Sequence, residues 1–160
     1  MHKIDFAYVF RGISFCQKAS LSAPPFVVSG YGIYVIKNYP PKLHERFNQL
    51  AEQLCMSSVT LAELVYGAEK SSRRLENLQA VEQFSARLEV LAFPLKAAAH
   101  FGQIRADVER LGMTVGPFDM LIGAHARAEG LIVVTDNARE FRRLSGVRVE
   151  NWVDDDGSPG

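Results

Sequence analysis

Leu131-Ile132-Val133-Val134-Thr135 is an unbroken run of apolar and β-branched residues that stops abruptly at Asp136-Asn137. A run of this length without polar alternation fits a strand covered on both faces, the usual state of a strand in a parallel sheet. Upstream, Gly116-Pro117 opens a helix that runs through Met120, Leu121, Ala124 and His125 and ends at Gly130. Proline just inside the start and glycine just past the end are the expected helix boundaries. Downstream, a short helix around Ala138 to Leu144 leads to a last strand, Val147-Arg148-Val149.

The same alternation extends toward the N-terminus. Ile33-Tyr34-Val35-Ile36 reads as a strand closed by Asn38-Tyr39-Pro40-Pro41. Residues Lys42 to Leu54 then place Leu43, Phe47, Leu50 and Leu54 on one helical stripe. Met56 to Val59 suggests a second strand, and Thr60 begins a helix carrying Leu61, Leu64, Val65 and Ala68. Helical patterns over Leu75 to Leu88 and Lys96 to Leu111 flank a strand at Val90 to Pro94, and Gly112 closes the second helix. Strands alternating with helices predict an α/β fold, a central parallel sheet flanked by helices on both faces.

A chain of 160 residues, 48% of them hydrophobic, suits one domain with one core region and is short for two. That domain is expected over residues 26–153. Residues 1–25 lack either periodicity and end in Ser22-Ala23-Pro24-Pro25, which reads as a poorly ordered leader. The acidic residues 154–160 read as a disordered tail. Eighteen Lys and Arg balance eighteen Asp and Glu, so contact with nucleic acid requires a local patch rather than a global field. Lys37, Lys70, Arg105, Arg127, Arg139, Arg142 and Arg143, extended by Arg148, are candidates for such a rim, although most are expected to be ordinary surface charges. Cys16 and Cys55 have no metal or disulfide spacing, and no apolar run approaches the roughly 18 residues of a membrane span, so a cytoplasmic protein is expected. G-x-S-x-G, phosphate-loop and dinucleotide motifs are absent.

Ligands of open parallel sheets collect outside the carboxyl ends of the strands. Three acidic positions stand at helix starts there: Glu63, Asp119, and the pair Asp136-Asn137. Each has a structural explanation. Thr60-Leu61-Ala62-Glu63 is a capping box. Asp119 complements the positive end of its helix, and Asp136-Asn137 is an ordinary N-cap pair.

Several blocks of this sequence, in order, resemble VapC-type PIN-domain toxin ribonucleases. They are Ile33 to Lys37, Ser57 to Leu64, Tyr66 to Ser71, Gly116 to Ala126, Leu131 to Asn137 with Arg139-Glu140-Phe141, and Val147 to Val153. The resemblance implies a PIN-like fold and a magnesium-dependent endoribonuclease, with manganese as an alternative ion. It also implies a tRNA substrate, a VapB-type antitoxin partner and a homodimer. It makes Glu63 and Asp119 catalytic metal-site acids and Asn137 the fourth site, with Asp136 as the adjacent candidate. Magnesium prefers oxygen ligands, keeps several waters, and is commonly held by one or two carboxylates together with substrate phosphates.

One departure is plain. The family's first strand ends in Leu-Asp-Thr-Asn, and aligning backward from Ile33 puts Val28-Ser29-Gly30 where Asp-Thr-Asn is expected. No acid lies between Cys16 and Glu45. Codons for Leu-Asp-Thr read one nucleotide out of register can yield Gly-Tyr, and Ser29-Gly30-Tyr31 stands immediately before family-like sequence resumes, as a frameshift near residue 31 would leave it. Loss of this acid is expected to impair catalysis more than binding. A catalytically inactive PIN domain that only binds antitoxin or nucleic acid is the alternative.

Overall fold

The computed structural model describes residues 26–29 and 41–152. The expected leader at 1–25, the expected tail at 154–160 and the expected strand at Ile33–Ile36 lie outside those residues. Five strands form one parallel sheet in the order β3-β2-β1-β4-β5. They are β1 (Phe26–Ser29), β2 (Leu54–Ser57), β3 (Glu89–Leu91), β4 (Ile132–Thr135) and β5 (Arg148–Glu150). The helices are α1 (Pro41–Gln49), α2 (Ser58–Glu69), α3 (Arg74–Ser85), α4 (Ala97–Arg110), α5 (Pro117–Glu129) and α6 (Ala138–Phe141).

Every residue of β2 and β4 is buried, whereas the three-residue edge strands β3 and β5 are partly exposed. Successive strand residues point to opposite faces, and two apolar clusters result. Met56 and Val134 pack with Phe47 of α1, Leu64 of α2 and Phe84 of α3. Cys55 and Val133 pack with Ile104 of α4, Ile122 of α5 and Phe141 of α6. The sheet is thus the middle layer of an α/β/α sandwich, as the alternation of elements predicts. Gly123 marks the tightest approach on the second face, since a Cβ there would fall 2.5 Å from a methyl of Leu144. Gly130 ends α5 in the left-handed region at φ 69°.

Several boundaries differ from the sequence reading; β3, for one, covers Glu89–Leu91 rather than Val90 to Pro94. Leu54 does not belong to the α1 stripe. A 3-10 turn over Ala51–Gln53 ends that helix, and Leu54 becomes the buried first residue of β2, paired with Phe26. The second strand likewise ends at Ser57 rather than Val59, and α2 begins at Ser58 rather than Thr60. The Ser57 side chain caps the helix by accepting from the Val59 backbone N–H at 3.2 Å. Among the described residues, no helix is long and apolar enough to cross a membrane.

The sheet order sets the place where a ligand can enter. From β1 the chain winds outward through β2 to β3, then returns to the other side of β1 as β4 and β5. The crevice outside the carboxyl ends of β1 and β4 is therefore a topological switch point, the usual binding position in such sheets. Ser29 pairs with Thr135 there, one residue before Asp136, and Val28 pairs with Val134.

Candidate active site

Glu63 projects from α2, just over a turn beyond its first residue. With Ser57 as the cap, Thr60 lies inside the helix with no exposure to solvent, so Thr60 to Glu63 is not a capping box. Oε2 of Glu63 is buried and has no hydrogen-bond partner among the described residues. A buried, unpartnered carboxylate oxygen is costly. Burial first, then the negative charge of Asp119, pushes the Glu63 carboxyl up to about 8.

Asp119 sits in the first turn of α5, two residues after Pro117. The helix N-terminus favours its charged form, yet the net effect is opposite. Burial, then the charges of Glu140 and Asp136, raise Asp119 to about 7. Asn137 occupies the N-cap position of α6, but its side chain makes no cap bond. Its Nδ2 instead donates to Oδ2 of Asp119 at 3.3 Å, and its backbone N–H donates to the Thr135 hydroxyl at 2.9 Å. Asp136 is exposed beside it. The N-cap explanation of this pair thus fails for the Asn137 side chain.

Glu63, Asp119, Asp136 and Asn137, spread over 75 positions of sequence, therefore stand within hydrogen-bond or electrostatic reach of one another in a chain of contacts. Glu140 joins them. Sequence reasoning passed over it, although an acid three residues after an N-cap asparagine falls in the first turn of the helix and faces back toward the strand end. Arg143 holds Glu140 at 3.5 Å and donates to the Thr114 carbonyl at 2.9 Å, which ties α6 to the segment leading into α5.

A second contact fixes α2 against α5. Ser57 Oγ and His125 Nδ1 are 2.9 Å apart, and His125, with 2% exposure, meets the Phe93 ring edge-on. His125 Nε2 has no partner among the described residues, and burial lowers the pKa of the ring, so it packs as a neutral imidazole. His100 accepts a hydrogen bond from Arg127 at 2.7 Å, remote in role from the acids.

Among the described residues, no three His, Cys, Asp or Glu side chains form a ready-made metal cluster. The donors present are those of a more open site: two carboxylates raised by burial and by neighbouring negative charge, one orphaned oxygen, and a neutral amide. Such a set suits a hard divalent cation that keeps most of its own water.

Comparison with known proteins agrees with this architecture. Residues 32–147 match the PIN domain family. The tRNA(fMet)-specific endonuclease VapC of Salmonella typhimurium is 52% identical over 120 residues, covering 75% of this chain and 91% of that protein. Ribonuclease VapC2 of Haemophilus influenzae is 50% identical over 121 residues, 76% of this chain and 92% of that protein. Among solved structures, DNA-bound VapBC from Salmonella typhimurium matches with a TM-score of 0.71 and 52% identity, over 75% of this chain and 91% of that one. VapBC2 from Rickettsia felis, bound to a promoter DNA fragment, matches with a TM-score of 0.70 and 35% identity, over 75% and 92%. Sheet order, the placing of acids at the switch point and sequence identity over three quarters of the chain converge on one conclusion: this protein belongs to the VapC-type PIN-domain toxin ribonucleases.

Proposed function

We propose that the chain is a divalent-metal-dependent endoribonuclease that cuts tRNA, held in check by a VapB-type antitoxin and lowered in activity by Val28. The observation that carries this reading is the joint elevation of Glu63 and Asp119 at the β1/β4 switch point. Two half-buried acids, Glu63 raised by burial and Asp119, and Asp119 by burial, Glu140 and Asp136, lack a counter-charge, and a divalent cation would supply it. Glu63 and Asp119 would hold the ion, Mg2+ or Mn2+. Asn137 steadies Asp119 through its amide N–H and keeps a neutral oxygen beside it. When bound, such an ion polarises a phosphoryl oxygen and lowers the pKa of its water. The tRNA assignment is supported by the Salmonella relative, whose name specifies tRNA(fMet). The antitoxin is supported by the VapBC complexes among similar structures, and Tyr66 and Leu75, exposed on the neighbouring helices α2 and α3, offer apolar surface for it or for a second copy of the chain.

The second reading, a PIN domain that binds without cutting, is favoured by the register position of Val28, opposite Val134 at the end of β1. The test is incubation with total tRNA and with initiator tRNA, with and without Mg2+, beside Val28→Asp and Glu63→Gln. The active reading expects slow Mg2+-dependent cleavage, raised by on the order of a hundredfold in Val28→Asp and abolished in Glu63→Gln. Absence of cleavage by both the original chain and Val28→Asp, with antitoxin binding intact, establishes the binding-only reading. Sequencing the gene checks the origin of Val28: an intact Leu-Asp-Thr in the alternate frame is expected.

A further inference from the structure

The chain carries no net charge, and its candidate site gathers Glu63, Asp119, Asp136 and Glu140. A phosphodiester strand approaching that edge is repelled unless fixed cations hold the phosphates next to the bond to be cut. Among the described residues, almost every cation is already engaged. Some are held by carboxylates, as Arg105 by Glu109 at 2.9 Å and Lys96 by Glu129 at 3.1 Å. Others are held by carbonyls or a ring, as Arg127 by Ser145 at 2.8 Å and Lys70 over Tyr66.

Arg139 and Arg142 differ. Of the described lysines and arginines, these two alone have side chains that make no hydrogen bond, ion pair or ring contact among the described residues, and both are exposed. They lie three residues apart on α6 and its C-cap, a spacing that puts two side chains on one helical face. Glu140, between them in sequence but on another face of the helix, reaches Asp119 electrostatically, while Arg143 pins the segment to the Thr114 carbonyl. Two unneutralised guanidinium groups are thus mounted on an anchored element that starts one residue after Asn137.

We infer that Arg139 and Arg142 are substrate-binding residues that grip the RNA phosphates flanking the scissile bond and draw the strand against the carboxylates. The inference rests on the ribonuclease reading above and names the residues by which that site takes its substrate. Guanidinium groups suit the task because they remain charged and present forked donors to phosphate oxygens. An acidic segment of a protein partner is the competing occupant. RNA is favoured because the pair rides on the short helix that starts one residue after Asn137 and that also supplies Glu140 to the acid group.

The test compares the full chain with Arg139→Ala, Arg142→Ala, the double variant, and Arg110→Ala as a control for an arginine already paired, with Asp107 at 2.7 Å. Binding of bulk tRNA is measured in EDTA across a salt series, cleavage in Mg2+, and antitoxin binding separately. Each lost phosphate contact reduces the salt slope by about 0.7 to 0.9. The double variant should lose roughly 1.4 to 1.8 from its slope, so between about 50 and about 200 mM salt its affinity falls about tenfold less than that of the original chain. KM should rise with kcat little changed, Arg110→Ala should match the original, and Arg→Lys at both positions should restore most of the slope. If the original chain binds tRNA and the double variant binds with the same affinity and slope, the inference is overturned. Loss of antitoxin binding with tRNA binding unchanged overturns it in favour of the protein partner. If the original chain and Val28→Asp neither bind nor cut RNA, the ribonuclease reading itself fails, and this inference fails with it.

Discussion

Replacing Glu63 by glutamine should stabilise the protein in the absence of divalent ions, although it removes a carboxylate from the candidate site. The Glu63 carboxyl rises from 4.5 to about 8 on folding, through burial and then through Asp119. Between those limits the unfolded chain has released its proton and the folded chain still holds it. Folding then binds more protons than unfolding, and stability falls as pH rises through the window. At about pH 7.5 the full shift corresponds to about 4 kcal/mol of lost stability. Glu63 is only half-buried, and screening by solvent reduces this to about 2 kcal/mol. Glutamine has the shape of the protonated acid and no charge to lose. Denaturant unfolding in EDTA should therefore place Glu63→Gln about 2 kcal/mol above the original chain at about pH 7.5, or roughly 4 to 8 °C higher in Tm. At about pH 5 the gain should shrink to under about 0.5 kcal/mol. A variant no more stable than the original chain at either pH refutes the view that Glu63 is an uncompensated buried acid.

Two further outcomes follow from the same geometry. Because both raised acids must release protons to solvent when a cation binds, apparent Mg2+ affinity should increase about ten- to a hundredfold from about pH 6 to about pH 7 and level off above about pH 9. Calorimetry in two buffers of different ionisation enthalpy should find one to about two protons released per ion, and a pH-independent affinity would contradict the assignment. Ser57→Ala removes the cap of α2 and leaves buried His125 without a partner at either ring nitrogen. It should cost about 2 to 3 kcal/mol in thermal unfolding, with Ser57→Thr near the original, and an unchanged Tm for Ser57→Ala would show the contact to be inert.

Much of the architecture was legible because Leu131 to Thr135 and the helix bounded by Pro117 and Gly130 carry unambiguous patterns. The errors have local causes. Ser57-Ser58-Val59-Thr60 offers three hydroxyls that can cap a helix, and Val59 prolongs the apolar run of β2, so residue type alone did not choose among them. Leu54 matched the helical stripe by spacing, but the 3-10 turn before it resets the period. The acids were legible as residues at helix starts, not as neighbours. Their proximity depends on the packing of α2 against α5 and on Asn137 turning away from its own helix. Glu140 carries no site signal in the sequence, because its reach to Asp119 across 21 positions arises only in the packed fold.

The sheet order has a consequence for biosynthesis. Among the described residues the earliest strand, β1, lies in the middle, and one of its two neighbours, β4, emerges about a hundred residues later. Non-local pairing of this kind forms late, after its loop-closure entropy has been met. Asp119 precedes β4 and Asn137 follows it, so no nascent chain shorter than about 137 residues contains a complete acid cluster. Synthesis proceeds at about 5 to 20 residues per second. The stretch from Phe26 to Asn137 therefore takes about 6 to 22 seconds to make, and throughout that interval the acids cannot converge.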